Sequence, residues 1–286
     1  AMHRAEESGN GKCDVFDSAM RSTVLKRLSL ESQLRRGIER EEFILFYQPI
    51  VSIEDASLVG FEALVRWQPE EGMIIPPGDF IPVAEETGLI VPLERWVLWK
   101  ACSQMKDWQA LASNAKLELS VNFSARQYHQ ADLTGILENA LLETGLDPEK
   151  LKLEITEGTF LQDSESLKTM LSKIRDLNIQ LHLDDFGTGY SSLSYLHRFP
   201  ISLIKIDRSF VSQLSSNQET LLIVKAIANL GQNLQMKVTA EGIERPDQLQ
   251  QIRMIKCDFG QGFLFSKPLN GKSSDSTWPW ALERRH

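Results

Sequence analysis

The chain has 286 residues, of which 42% are hydrophobic and 24% charged, with a net charge of -8. That balance is ordinary for a folded protein, and the length suits two modest domains or one large α/β barrel. The negative charge argues against polymeric nucleic acid as a partner, whereas a small anionic substrate stays open if metal ions supply positive charge. Cys13, Cys102 and Cys257 are odd in number and far apart, so neither a disulfide framework nor a zinc site is expected, and a reducing, cytoplasmic compartment is. No apolar run is long enough to span a bilayer, and no secretory signal is evident.

Residues 1 to 40 read as a polar tail followed by an amphipathic helix carrying Met20, Val24, Leu25, Leu28, Leu30 and Leu34, with Arg35, Arg36 and Arg40 at its far end. Residues 43–53 alternate as a strand, with Ile44, Phe46 and Ile50 on one side. Asp55-Ala56-Ser57 turns the chain and 58–67 returns antiparallel. Pro76, Pro77 and Pro82 mark a loop, and 89–111 is a long helix. Strand and helix then alternate: strand 117–123, helix 133–144 closed by Gly145, strand 151–156, helix 164–177 and strand 179–183. Next come a short helix over 191–196, strand 201–206, helix 217–230 capped by Gly231, strand 236–240, helix 246–255 and strand 259–265. Residues 271–286 form a tail in which Trp278-Pro279-Trp280 is expected to lie over the surface. Alternation with short connections predicts parallel strands with helical crossovers. About eight strands over this length predict a TIM-like (β/α)8 barrel, with a doubly wound open sheet as the alternative. Gly187-Thr188-Gly189 lacks the third glycine of a dinucleotide loop.

The chain turns on Leu181 to Leu193, an apolar strand that stops on Asp184-Asp185 before a glycine-rich turn. Adjacent carboxylates at a buried strand end repel and lose hydration, which favours a cation beside them; a turn capped by Asp185 is the plainer alternative. Other strands end on similar chemistry: Glu62, Asn122, Glu154 with Glu157, Lys205 with Asp207, Glu241, and Gln261 in Gly260-Gln261-Gly262. Barrel enzymes place their sites at that end of the strands. The donors are all oxygen, which selects Mg²⁺ or Mn²⁺ over zinc or iron. Five carboxylates exceed the needs of one ion, so two ions bridged by Asp184 are expected, as in sites for in-line displacement at phosphorus. Lys205 would lie beside the attacking water, orienting it or taking its proton; a plain salt bridge is the alternative.

These residues resemble the EAL-domain family of cyclic di-guanylate phosphodiesterases. The motifs are Tyr47-Gln48-Pro49-Ile50, Glu62-Ala63-Leu64 with Arg66-Trp67, Val121-Asn122, Glu154-Ile155-Thr156-Glu157, Asp184 to Leu193, Lys205-Ile206-Asp207, Ala240 to Glu244, and Gln261-Gly262, covering about residues 40 to 270. The resemblance implies a barrel with an antiparallel first strand. It implies hydrolysis of one phosphodiester of cyclic di-GMP to linear pGpG with two Mg²⁺ or Mn²⁺ ions. By the family's pattern Glu62, Asn122, Glu154 and Asp184 bind one metal, and Asp184, Asp185 and Glu241 serve the second. Lys205 takes the place of the water-activating residue. Glu157 braces the loop from Asp185 to Tyr190. Gln48, Leu64 and Arg66 match substrate positions, Arg66 against a phosphate, and Gln261 lines the mouth. No position departs from the pattern. Residues 1–35, with Cys13 to Asp17, resemble the end of a GGDEF domain and its linker, so an upstream sensor or cyclase domain is expected, and a homodimer through side helices.

His182 is expected to pack inside the barrel, and Trp96, Trp99 and Trp108 to be core contacts rather than a nucleotide stack. Two other functions compete: a catalytically silent cyclic di-GMP receptor with the same pocket, and an enolate-forming Mg²⁺ barrel. The paired aspartates and Arg66 fit phosphate chemistry better than the latter.

Overall fold

A computed structural model describes residues 18–69, 73–111, 116–124, 133–161, 165–188, 196 and 198–271. Residues 191–195 of the expected short helix, the tail with Trp278 and Trp280, and Cys13 lie outside the described residues. A helix α1 (Ser18–Glu39) leads into β1 (Phe43–Ser52) and β2 (Leu58–Trp67). Then follow α2 (Pro77–Thr87), α3 (Ile90–Leu111), β3 (Glu118–Asn122), α4 (Leu133–Thr144), β4 (Leu151–Thr156), α5 (Glu165–Asp176) and β5 (Gln180–Phe186). The chain continues through β6 (Ile201–Ile206), α6 (Arg208–Gln213), α7 (Gln218–Asn233), β7 (Lys237–Ala240), α8 (Pro246–Ile255), β8 (Phe259–Gly260) and β9 (Leu269–Asn270).

Strands β2 to β8 pair in chain order, each parallel to the next, and β1 joins β8 to β2 and closes the barrel, antiparallel to both. Closure settles the choice against an open sheet. It also removes the edges that an open sheet leaves unpaired. β9 pairs with β1 at Phe46 and Tyr47, on the edge that β8 meets at Val51 and Ser52.

Parity decides what each strand offers. On β1 the odd residues Phe43, Leu45, Tyr47 and Val51 are buried towards the helices. Phe43 meets Phe80 and Trp96, and Tyr47 packs edge-on to Trp108 with ring centres 4.7 Å apart. The even residues face the barrel interior, where Ile50, Glu118, Ser120, Glu154, His182 and Lys205 line one internal cavity. His182 is buried there, as expected, and burial first, then Lys152 and Lys205, hold its pKa well below the usual histidine value. Trp108 is core and Trp96 half-buried, but Trp99 is 40% exposed and donates its indole N–H to Glu143 at 2.9 Å.

Four local expectations need correction. The proline-marked segment is the helix α2, not a loop: Pro77 sits at the start, where its missing N–H costs nothing, and Phe80, Val83 and Ala84 are buried. Pro82 is tolerated inside it for the same apolar face. Gly231 does not cap α7 but lies within it, because a Cβ there would stand 2.5 Å from Val238 Cγ2. The last strand stops at Gly260 instead of 265: Gly262 (φ 156°) turns the chain where any Cβ would strike the Ile243 backbone at 2.2 Å. Asp207 is the cap of the unforeseen helix α6, accepting the Ser209 N–H at 2.9 Å.

Candidate active site

The register of the barrel lays the polar residues side by side. Gln48 pairs with Glu62 across β1 and β2, Glu62 with Ser120, Asn122 with Glu154, and Glu154 with His182. Glu62 is five residues short of the end of β2, not at its end: the β1–β2 hairpin runs past the barrel rim, so depth is set by register. Leu64 and Arg66, on the same face, therefore stand farther out along the mouth.

Strand β5 carries a bulge. Leu183 pairs with Ile204 and Phe186 with Ile206, so β5 spends one residue more than its partner between them. Asp185 takes up the excess in the left-handed region at φ 54°, and its N–H donates to Asp184 Oδ1 at 3.0 Å. The bulge leaves Asp184 facing inward and Asp185 exposed.

Lys205 is the centre of the arrangement. Its Nζ lies 2.5 Å from Glu154 Oε2, 2.7 Å from Glu241 Oε1, 3.3 Å from Asp184 Oδ1 and 3.6 Å from Glu62 Oε2, and the residue is 2% exposed. Four acids from four strands or strand ends, spread over nearly 180 positions, meet on one ammonium. Burial alone would lower the lysine pKa, but Asp184, Glu154, Glu241 and Glu62 together push it well above its ordinary value. In this arrangement Lys205 is a charged donor to the acids around it. Burial pushes the Glu241 carboxyl up to about 8 against the pull of Lys205. Burial also drives Glu154 well up, again against Lys205 and with help from the neighbouring carboxylates. Glu62 is lowered despite burial, because Lys205, Gln261 and Asn122 all favour its charged form.

One ammonium cannot balance four ionised carboxylates, and the raised pKa values of Glu154 and Glu241 express that imbalance. The surplus negative charge and the all-oxygen donor set fit a hard divalent cation. Glu154 Oε1 adds to that fit, being buried with no hydrogen-bond partner among the described residues. Among the described residues no three His, Cys, Asp or Glu side chains close on a common point as ligands, since the carboxylates are gathered on Lys205 instead.

Around this centre, Asn122 Nδ2 donates to Glu62 Oε1 at 2.8 Å and Gln261 Nε2 to Glu62 Oε2 at 2.7 Å. Gln261 Nε2 also donates to Gln48 Oε1 at 3.1 Å, and Gln48 Nε2 to the Ser266 carbonyl at 3.2 Å. Gln261 Oε1 is buried without a partner among the described residues. Arg66 lies over the Phe46 ring at 5.7 Å and donates to its neighbour's carbonyl at 2.8 Å. Burial lowers its guanidinium pKa while Glu62 raises it. Glu157 is 4% exposed and accepts the Gly187 N–H at 3.3 Å, two residues beyond Asp185.

Sequence reasoning passed over Glu94. It is buried, accepts both the N–H and the hydroxyl of Ser124, and burial pushes it up to about 8. Its signal was a lone acid amid the apolar residues Val91, Leu93, Val97 and Leu98 of one helix.

A closed barrel with hard-cation chemistry at the carboxyl ends of its strands defines a class of metal-dependent barrel enzymes. This chain belongs to the EAL domain family, whose model matches residues 31–268. It is 40% identical over 270 residues to the bifunctional diguanylate cyclase/cyclic di-GMP phosphodiesterase MucR of Pseudomonas aeruginosa, an alignment covering 94% of this chain and 39% of that protein. It is 36% identical over 269 residues to the cyclic di-GMP phosphodiesterase NbdA of the same organism, covering 94% of this chain and 34% of that one. The chain thus spans well under half the length of these relatives. A solved structure titled as the PaMucR phosphodiesterase in complex with c-di-GMP matches with a TM-score of 0.82 at 40% identity, covering 86% of this chain and 99% of that one. Among the described residues no helix is long and apolar enough to cross a membrane.

Proposed function

We propose that this domain hydrolyses one phosphodiester bond of cyclic di-GMP to give linear pGpG, with Mg²⁺ or Mn²⁺ as the cation. The observation that carries this reading is the meeting of Glu62, Glu154, Asp184 and Glu241 on Lys205, in a member of a family whose relatives are named for that activity. Glu62, Asn122, Glu154 and Asp184 would hold one ion, and Asp184, Asp185 and Glu241 a second. Bound there, the ions would supply Lewis acidity and an activated water. Lys205 Nζ, among these acids, would orient the attacking water or take its proton. Gln48, Leu64 and Arg66 receive the dinucleotide along the β1–β2 hairpin, with Arg66 against a phosphate, and Gln261 fixes Glu62 from the opposite wall. Glu157 keeps the Asp185 turn in place through Gly187.

Water adds to one phosphorus, the bond to the ribose 3′ oxygen breaks, and that oxygen leaves with a proton. The domain is proposed to act in a cytoplasmic second-messenger circuit, as a homodimer, downstream of a sensor or GGDEF domain. Cys102 and Cys257, both free and buried, are consistent with a reducing compartment. The test is incubation of the protein with cyclic di-GMP and Mg²⁺ or Mn²⁺. Accumulation of pGpG that stops on adding EDTA is expected. Binding without turnover would make the domain a receptor instead.

A further inference from the structure

Glu94 is a carboxyl group in an apolar setting. It stands in the first turn and a half of α3 and is 6% exposed. Leaving a carboxyl in such a place costs free energy unless its hydrogen bonds are worth more elsewhere. Both of its described hydrogen bonds go to one residue: Ser124 N–H donates to Oε1 at 2.7 Å, and Ser124 Oγ–H to Oε2 at 3.2 Å. Ser124 is two residues beyond Asn122, the last residue of β3. Between them Phe123 is buried, and its N–H donates to the Glu154 carbonyl at 2.9 Å. The chain leaving β3 is thus tied to β4 at Phe123 and to α3 at Ser124. With both ties the Asn122 side chain is aimed at Glu62, 2.8 Å away.

The same device recurs across the mouth. Glu157 is likewise buried, and likewise accepts the backbone N–H of the residue two beyond a candidate ligand, Gly187 after Asp185. In both cases the loop that follows a candidate ligand is gripped by a buried glutamate from outside the strand.

We infer that Glu94 is a positioning residue: through Ser124 it fixes the exit of β3 and so the direction in which Asn122 presents its amide oxygen to a divalent cation. The inference rests on Asn122 being a metal ligand, as proposed above. Partners that orient a ligand from behind raise metal affinity by about 10- to 100-fold when present. Glu94 acts through the backbone, so the low end of that range applies.

The decisive measurement is Mn²⁺ affinity by calorimetry on the full chain, without nucleotide. Glu94→Met keeps the volume and removes the acceptor; relief from burying a carboxyl offsets the loss of a partner for the Ser124 N–H and hydroxyl, while Asn122 loses its anchor. A Kd weakened about tenfold, with an unchanged or higher Tm, is expected. Glu94→Gln still accepts from the Ser124 N–H and should return the Kd to within about threefold of wild type. Ser124→Ala, which keeps the backbone bond and removes the hydroxyl one, should weaken binding about twofold or more. Met105→Ala, a buried site on the same helix, should lower Tm and leave the Kd alone. Wild-type affinity in Glu94→Met overturns the inference, and so does a Glu94→Gln protein that binds as weakly as Glu94→Met. If Glu94→Met does not fold, an unchanged Kd in Ser124→Ala overturns it. Glu62→Ala separates the two levels: if it loses Mn²⁺ while Glu94→Met does not, only the role of Glu94 falls. If the wild-type protein binds no Mn²⁺, the metal site and the inference fall together.

Discussion

The barrel interior has a floor and a mouth, and the same strands build both. On β4 Lys152 faces the floor and Glu154 the mouth; on β3 Glu118 takes the floor and Asn122 the mouth. At the floor the charges nearly cancel. Lys152, 1% exposed, donates to the Glu149 carbonyl at 2.7 Å and faces Glu118 at 3.4 Å, whose side chain is one-third open to water. Burial lowers its pKa, and Glu118 partly offsets that. At the mouth the proportions reverse, with four acids crowded on one lysine. Burial of charge is common to the two ends. What separates them is balance: at the floor one lysine faces one acid, whereas at the mouth four acids share one lysine, a set that a further cation would balance.

The sharpest way to break this contrast is at the mouth. Glu62→Ala or Asp184→Asn should abolish pGpG formation, measured with saturating Mn²⁺, while the fold survives in circular dichroism. Lys205→Ala should come next. It loses the oriented water, at a cost of about 10²- to 10⁴-fold in kcat. It also leaves buried acids without their cation, so Tm should fall without divalent metal and recover when metal is added. A variant that kept both rate and Tm would show that the ammonium is incidental.

A buried carboxyl whose described hydrogen bonds go to a serine lies between these extremes, and Glu94 is one. Its pKa of about 8 in the folded state, against 4.5 for an ordinary glutamate, means the native chain keeps a proton that the unfolded chain gives up. Stability should therefore fall as pH rises from about 4.5 through 8, with at most about 1.4 kcal/mol per pH unit from this group. Glu94→Gln should flatten that part of the Tm-versus-pH curve. A curve identical to wild type would place the proton elsewhere.

The floor should respond least. Lys152→Met swaps a buried cation for an apolar chain of similar size, and Glu118 can turn to water. Stability within about 1 kcal/mol of wild type and unaltered kcat are expected. A large loss of turnover would mean that floor and mouth are electrically coupled.

Much of this could be read along the chain because it is local. Alternation of period two marked β1, β2, β4 and β6 at or within one residue of their ends, and helical spacing marked α3, α4, α5 and α8. Oxygen-only chemistry at the strand ends was equally visible, since residue type needs no coordinates. Less came through where a local rule met a distant neighbour. Gly231 read as a cap because glycine after an apolar run usually ends a helix, yet the pressure on it comes from Val238 in the next strand. Trp99 has helical spacing with Trp96 but faces outward onto Glu143.

What tertiary structure alone decided is where charges meet. Closure of β1 between β8 and β2 chose barrel over open sheet, and pairing over long separations brought Gln48 and Gln261 to Glu62. The bulge that leaves Asp185 exposed exists only against β6. Lys205 among four acids, and Glu94 behind Asn122, depend on distances between segments that share no local pattern. Residue type and periodicity are properties of a chain; electrostatic balance is a property of the space that the folded chain encloses.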